Sequence, residues 1–436
     1  MNKHLGTYSA VFLVVASMLG TGILTTTGII LTLVKTPGAA LGVWVLGGLL
    51  ALVGAWCYGE LARLVPRNGG EATILRELLS PTLGEIAGLT SFVVGFAACN
   101  AASSLAFVDY LGEALPGLKI PPLLLACLML LMVTSLHGFF GPIGLRIQTL
   151  LATAKFTLLA VLALYGIFFA APLVMNTTAN TVSLGGASEF GIAGFGGAWG
   201  QAMMLVMFAY SGWNAAIYVA GEIHEPARNV RRILMIGTSI IVLLFITVNV
   251  VLLTQLPTRE LEGVRPVIAT LVKHFFGAQA SSLFSGLVAF GLLSSLGVSA
   301  YLGPRVLAAM LDWLGKHSDH KNNTVSTVNA RLIWLQAGLS ILMVLTGTFV
   351  QILTVMGFLL GLFPIICILS LYRKANFLQG KSFQVVRYIF APLFIGVSTV
   401  ILILGALQSP REVAFALLLV FIFYTSRVFM RRFSRA

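Results

Sequence analysis

Lys155 stands in Leu151-Ala-Thr-Ala-Lys155-Phe-Thr, well inside an apolar stretch running from about 146 to 170. An ammonium at membrane depth costs a few kcal/mol or more, so it is retained only with partners and for a purpose, or near a helix end where it can snorkel to the interface. Two further segments carry chemistry of another kind. Ser17-Met18-Leu19-Gly20-Thr21-Gly22-Ile23 and Phe208-Ala209-Tyr210-Ser211-Gly212-Trp213-Asn214 each place glycine beside hydroxyls in the middle of an apolar run. Glycine weakens a helix interior by about 1 kcal/mol relative to alanine. Unwinding there frees N–H and C=O groups, and in lipid such groups are tolerated only where they are buried or line a cavity. Paired interruptions in corresponding halves of a chain point to a transport site at the bilayer midplane. Singly, Gly20, Gly22 and Gly212 also suit close helix packing; it is their recurrence five spans apart that favours a site.

Other chemistries find no support in the residues. There is no H-E-x-x-H, no G-x-S-x-G and no P-loop, which disfavours an intramembrane enzyme or an ATP-driven pump. Cys57, Cys99, Cys127 and Cys367 each sit alone in apolar stretches, without a C-x-x-C pair, and read as packing residues rather than metal ligands or disulfides. No metal and no cofactor is expected. His137 and His224 lie at span ends, and a proton relay through either is the weaker reading.

The elements that must position these residues follow from composition. Only 9% of the 436 residues are charged and 58% are hydrophobic, with a mean hydropathy of +0.97. A soluble domain carries about 25% charged residues, so this is an all-α polytopic membrane protein. Apolar runs long enough to span a bilayer fall at about 7–33, 38–64, 86–112, 120–138, 146–170, 197–222, 232–256, 279–312, 328–348, 351–372, 386–408 and 411–429. With the N-terminus cytoplasmic, only Lys35, Lys119, Arg259, Arg265, Lys273 and Arg411 of the 27 basic residues fall outside. That asymmetry orients both termini to the cytoplasm and accounts for the net charge of +13 without nucleic acid. The hydrophilic stretch 316–328 reads as a cytoplasmic loop. Asp109 and Glu113 fall near the outer end of the third span, where water can reach them; Glu60 and Glu222 close spans on the basic side and are expected to pair with arginines such as Arg67 or Arg228.

Four stretches carry a resemblance. They are Gly20-Thr21-Gly22-Ile23-Leu24; Tyr58-Gly59-Glu60-Leu61 continuing to Pro66-Arg67-Asn68-Gly69-Gly70-Glu71; Phe208 to Asn214 with Ala220-Gly221-Glu222-Ile223 and Pro226-Ala227-Arg228-Asn229; and Arg305 to Leu314. In order and spacing they resemble the amino acid–polyamine–organocation transporter superfamily, and in particular its bacterial L-type amino acid transporter branch. The resemblance implies one transmembrane domain over 1–436, with repeat one at about 7–170, an inverted repeat two at about 197–372, and two appended helices at about 386–429. Helices 1 and 6 would be broken.

The resemblance also implies roles. A helix N-terminus suits a carboxylate and a C-terminus suits an ammonium. The amides of Gly20, Thr21 and Gly22 would then face the carboxylate of an amino acid, and the carbonyls of Ser17, Met18, Phe208, Ala209 and Ser211 its ammonium. Phe208 would be the aromatic gate, and Met18 and Ile23 would help make the pocket partly apolar. Asn214 takes a position that is acidic in arginine-exchanging relatives. With no acidic residue inside either break, a neutral side chain is the expected substrate. Lys155 would replace the ion of sodium-coupled relatives, with Ser295 and Ser299 as neighbours. The function implied is sodium-independent permeation or exchange of neutral L-amino acids by alternating access in the cell inner membrane; the alternative is proton-coupled uptake or export of amino acids or polyamines. Animal relatives of this branch bond a glycoprotein through a Cys in the loop after the third helix. The loop at 112–120 has no Cys, so no disulfide-linked heavy chain is expected, and the chain would act as a monomer or homo-oligomer.

Overall fold

The computed structural model describes residues 5–139, 141–169, 197–313, 330–373 and 381–433. The stretch 316–328 lies outside the described residues. Among the described residues, helices fall on each of the apolar runs named above, and eight helical segments are long and apolar enough to cross a membrane, judged by length and composition.

The first run forms two helices, α1 (Thr7–Met18) and α2 (Gly22–Val34), and the second forms α3 (Pro37–Leu64). A short helix, α4 (Gly70–Leu78), follows. The third run is α5 (Pro81–Thr90), a π-helical turn at Ser91–Ala97, and α6 (Ala98–Ala114). Next come α7 (Pro122–Phe139), α8 (Gly141–Phe168) and α9 (Gly197–Ala209), the last followed by a 3₁₀ segment, Ala215–Glu222. The remainder comprises α10 (Pro226–Gln255), α11 (Thr258–Leu261), α12 (Val267–Trp313), α13 (Ala330–Thr346), α14 (Phe349–Arg373), α15 (Lys381–Val385), α16 (Ala391–Gln408) and α17 (Pro410–Phe433).

Local chemistry sets several boundaries. Thr36 precedes Pro37 and accepts from the Ala39 amide at 3.3 Å; Ser80 precedes Pro81 and accepts from the Leu83 amide at 3.2 Å. Each is an N-cap followed by a proline that needs no N–H partner. α12 runs longer than the apolar run at 279–312, because a preceding helix is joined to it across Gly277.

The core forms where α3 packs on α10, α6 on α12, and α9 on α2 and α16. Trp44, Tyr210 and Phe245 meet edge-on or tilted at 5.3 to 5.8 Å, and the Tyr210 hydroxyl donates to the Trp44 carbonyl at 3.1 Å. A buried phenol finds its acceptor in this way rather than remaining unpaired.

On the less basic face, α2 beyond the first break is held by later segments. The Gly263 amide donates to the Gly28 carbonyl at 2.9 Å, Thr27 donates to Asn249 at 2.7 Å, and Tyr110 donates to the Leu24 carbonyl at 2.8 Å. Lys35 pairs with Glu262 at 2.6 Å and Arg265 with Asp109 at 2.9 Å. Asp109 is thus ion-paired rather than simply hydrated, because the segment after α11 folds back over the end of α6.

On the basic face the carboxylates choose other partners than the sequence suggested. Glu60, fully buried, lies between Arg63 at 2.8 Å and Arg231 at 3.0 Å. Arg67 pairs with Glu77 at 2.9 Å, Arg228 with Glu225 at 3.8 Å, and Glu222 accepts from Asn68 at 3.3 Å. Helix α10 sets this choice, since its packing on α3 brings Arg231 alongside Glu60. Removing a buried acceptor of two charge-assisted bonds costs about 1–3 kcal/mol. Glu60→Ala is therefore expected to lower the unfolding midpoint in detergent by several degrees, as read by fluorescence during heating.

Candidate functional site

Both glycine-bearing segments interrupt their helices. α1 ends at Met18, and Leu19, Gly20 and Thr21 bend before α2 starts at Gly22. α9 ends at Ala209, and the chain turns through Tyr210–Asn214 before the 3₁₀ segment. Gly212 has φ +95°, which only glycine adopts without strain. The far half of this span is 3₁₀ rather than α-helical, and Val219 departs from helical geometry altogether.

The two breaks lie against each other. A Cβ on Gly22 would overlap Ala209, and one on Gly212 would sit 2.8 Å from the Ser17 carbonyl. The N-terminus of α2 and the C-terminus of α9 therefore meet. The first turn of α2 carries amides without intrahelical acceptors, and Thr21 gives it no side-chain cap. Thr25 and Thr26 donate back to the carbonyls of Thr21 and Gly22 at 2.9 and 2.7 Å, and the Leu24 amide donates to the Thr21 carbonyl at 3.0 Å, which leaves the amides of Thr21 and Gly22 as the donors among the described hydrogen bonds. Two of the candidate carbonyls are already used once: Met18 accepts from Gly20 at 2.7 Å and Phe208 from Ser211 at 2.9 Å. Each keeps a second lone pair.

A cavity beside the breaks is lined by Ser17, Ser211, Gly212, Asn214 and Ser299, with Phe96, Met207, Val298 and Leu360 as apolar wall. Met18, Ile23, Phe208 and Ala209 are buried in the packing around the breaks rather than on this wall, whereas Gly20 is partly exposed. Thr21 and Ser17 each hold a buried hydroxyl with no partner among the described residues.

Lys155 is 2% exposed, which excludes snorkelling. Its Nζ donates to Ser295 Oγ at 2.7 Å, and Ser295 Oγ donates to the Leu19 carbonyl at 3.2 Å. The ammonium is thereby tied, through one hydroxyl, to the first bent residue of the α1–α2 break. Gly291 lets the lysine stem pass, since a Cβ there would lie 3.3 Å from it. Ser299 contributes its carbonyl to Gln336 at 3.0 Å and does not hold Lys155 directly among the described hydrogen bonds.

Glu71 is the residue that sequence reasoning missed. No acidic residue lies within the breaks, yet Glu71 reaches one from α4. Its Oε1 accepts from Tyr58 at 2.6 Å and from Asn214 at 3.0 Å, and it lines the cavity. The preceding glycines explain its position. Gly69 and Gly70 have φ +107° and +62°, and Gly70 packs flat against the Tyr218 ring. Only this left-handed turn directs the start of α4 inward. Burial, partly offset by the two hydrogen bonds, pushes the Glu71 carboxyl up to about 7. The sequence signal was the Gly-Gly-Glu triplet, present in the motif but without an assigned role. The π-helical turn that places Phe96 against Tyr218, with ring centroids 5.6 Å apart, had no such signal.

Comparison with known proteins accords with this geometry. The chain is 27% identical over 279 residues to the b(0,+)-type amino acid transporter 1 of Mus musculus, covering 62% of this chain and 55% of that protein. It is 26% identical over 292 residues to the large neutral amino acids transporter small subunit 2 of Homo sapiens, covering 64% and 52%. The chain thus spans about half the length of the curated relatives it matches. The model of the amino acid permease family matches residues 5–426, nearly the whole chain. This multi-pass membrane protein, with its paired helix breaks, belongs to the amino acid permease family.

Proposed function

We propose that the chain is a secondary transporter of neutral L-amino acids that works without sodium, by exchange or facilitated passage and alternating access. The observation that carries this reading is the meeting of the α2 N-terminus and the α9 C-terminus beside a cavity. Free amides at one helix end and carbonyls at the other match a zwitterion, and they do so whatever its side chain. The carboxylate is bound by the amides of Thr21 and Gly22, joined by that of Gly20 once it gives up its bond to the Met18 carbonyl, and the ammonium by carbonyls around Ser17 and Ser211. Phe208 gates the site.

Lys155 takes the place of a coupling ion, as a fixed cation or a titrating one, linked to the break through Ser295. The two repeats at about 7–170 and 197–372 supply one break each. Rocking of α1–α3, α9 and α10 against the rest opens the site to each side in turn. Both termini lie in the cytoplasm beneath the inner membrane, where the Arg-rich ends of α3 and α10 gather. The relatives are named for transport of amino acids, one of them as a small subunit. A partner joined to this chain through the 112–120 loop would find no cysteine there.

The test is counterflow. Purified protein in liposomes, preloaded with one labelled amino acid, is challenged with each of the others. Neutral L-amino acids are expected to exchange without sodium, and D-isomers and decarboxylated amines to exchange at least tenfold more slowly. Equal rates for amines lacking a carboxylate would refute binding at the α2 N-terminus.

A further inference from the structure

Glu71 is a carboxyl group 4% exposed, on the wall of the transport cavity, with one oxygen shared by Tyr58 and Asn214. Among the described residues it takes part in no ion pair. The titratable groups facing it are Tyr58 of α3, Tyr218 of the 3₁₀ segment and Cys367 of α14. Phenols and thiols are ordinarily neutral at pH 7, so none supplies a countercharge. Several charged residues on the elements packed around α4 are bound elsewhere. Glu60 lies between Arg63 and Arg231, Glu222 accepts from Asn68, Arg305 donates to the Tyr301 carbonyl, Arg373 donates to the Leu79 carbonyl, and Glu85 has a partner of its own. On α4 itself, Glu77 pairs with Arg67 and Arg76 is also engaged.

We propose that Glu71 is a proton-binding switch of the transport site, and that its carboxyl must be protonated for the loaded site to close off from the basic face. The inference rests on the reading above that substrate binds between the breaks. The physical reason is desolvation. In a closed cavity a carboxylate with two neutral donors and no cation among the described residues is costly to hold; the neutral acid meets little such penalty. Asn214 lies in the turn after α9, so the hydrogen bond from Asn214 conveys the protonation state to the break itself. Burial that already raises the carboxyl to about 7 puts this proton within physiological range. Transport should therefore rise as the medium on the basic face is acidified through neutrality.

Proteoliposomes are to be assayed for counterflow of a labelled mixture of L-leucine, L-alanine, L-serine and L-phenylalanine between pH 5.5 and 8.5, set equally on both sides. The wild-type protein is expected to run at least fivefold faster at pH 5.5 than at pH 8.5. In Glu71→Gln the ratio is expected to fall below twofold. If that variant does not reach the bilayer, Tyr58→Phe decides. Loss of the 2.6 Å donor disfavours the carboxylate, so the midpoint must move to higher pH. A flat wild-type profile, a Glu71→Gln profile like the wild type's, or an unmoved midpoint in Tyr58→Phe would overturn the switch and leave the transport reading intact. Failure of the wild-type protein to move any of the mixture at any pH would overturn both.

Discussion

Lys155→Ala is expected to reduce amino acid counterflow about ten- to hundredfold while the protein still reaches the membrane. The lysine donates to Ser295 at 2.7 Å, and Ser295 donates to the Leu19 carbonyl at 3.2 Å. Cutting this chain removes one charge-assisted hydrogen bond, worth about 1.5–3 kcal/mol, and each 1.4 kcal/mol is about a factor of ten in an equilibrium. The penalty falls on the shape of the α1–α2 break rather than on the fold, because Leu19 is the residue at which α1 departs from helical geometry. Alanine also empties the space beside Gly291, so Lys155→Met is the sharper variant: it keeps an unbranched apolar stem and removes only the charge and its donor. Both variants are to be compared by counterflow at matched protein density. Normal transport by Lys155→Met would show that the ammonium merely fills space.

Gly212→Val is expected to abolish transport, by more than a hundredfold, through a different route. At φ +95° a β-branched residue is strained by about 1–3 kcal/mol. Its Cβ would also lie 2.8 Å from the Ser17 carbonyl and 3.0 Å from the Met18 amide, and crowding of this kind costs about 1–3 kcal/mol more. The two breaks can relieve that only by moving apart, which separates the donors of one from the acceptors of the other. Size-exclusion profiles would establish that the variant remains folded, and counterflow would then report the loss. Gly212→Ala, with the same clash but less torsional strain, should fall between the wild type and valine. Valine at 212 with undiminished counterflow would mean that apposition of the breaks is not needed for transport.

Other parts of the molecule show why local reading reaches only so far. The glycines of both breaks and the depth of Lys155 are local features, and each had a sequence signature. Asp109 and Glu60 had none that named their partners. Arg265 comes to Asp109 from a segment far along the chain, and Arg231 reaches Glu60 across 171 positions. Ion pairing at such separations depends on which helix packs on which. Hydropathy is nearly uniform along these helices and does not distinguish the neighbours.

The sequence by itself determined that this chain lies in a membrane, roughly where its long apolar helices fall, that the first and sixth spans break, and that a lysine lies inside an apolar helix. Those outcomes follow from composition, from glycine's backbone freedom and from the cost of charge in hydrocarbon, all of which act over a few residues. Only the tertiary structure decided what converges on the breaks. Glu71 lies 13 positions after Tyr58 and 143 before Asn214, and Ser295 lies 140 after Lys155. Bringing them together required a left-handed turn at Gly69–Gly70 and the packing of α12 beside α8, and contacts of that kind belong to the packed bundle rather than to any one segment of it.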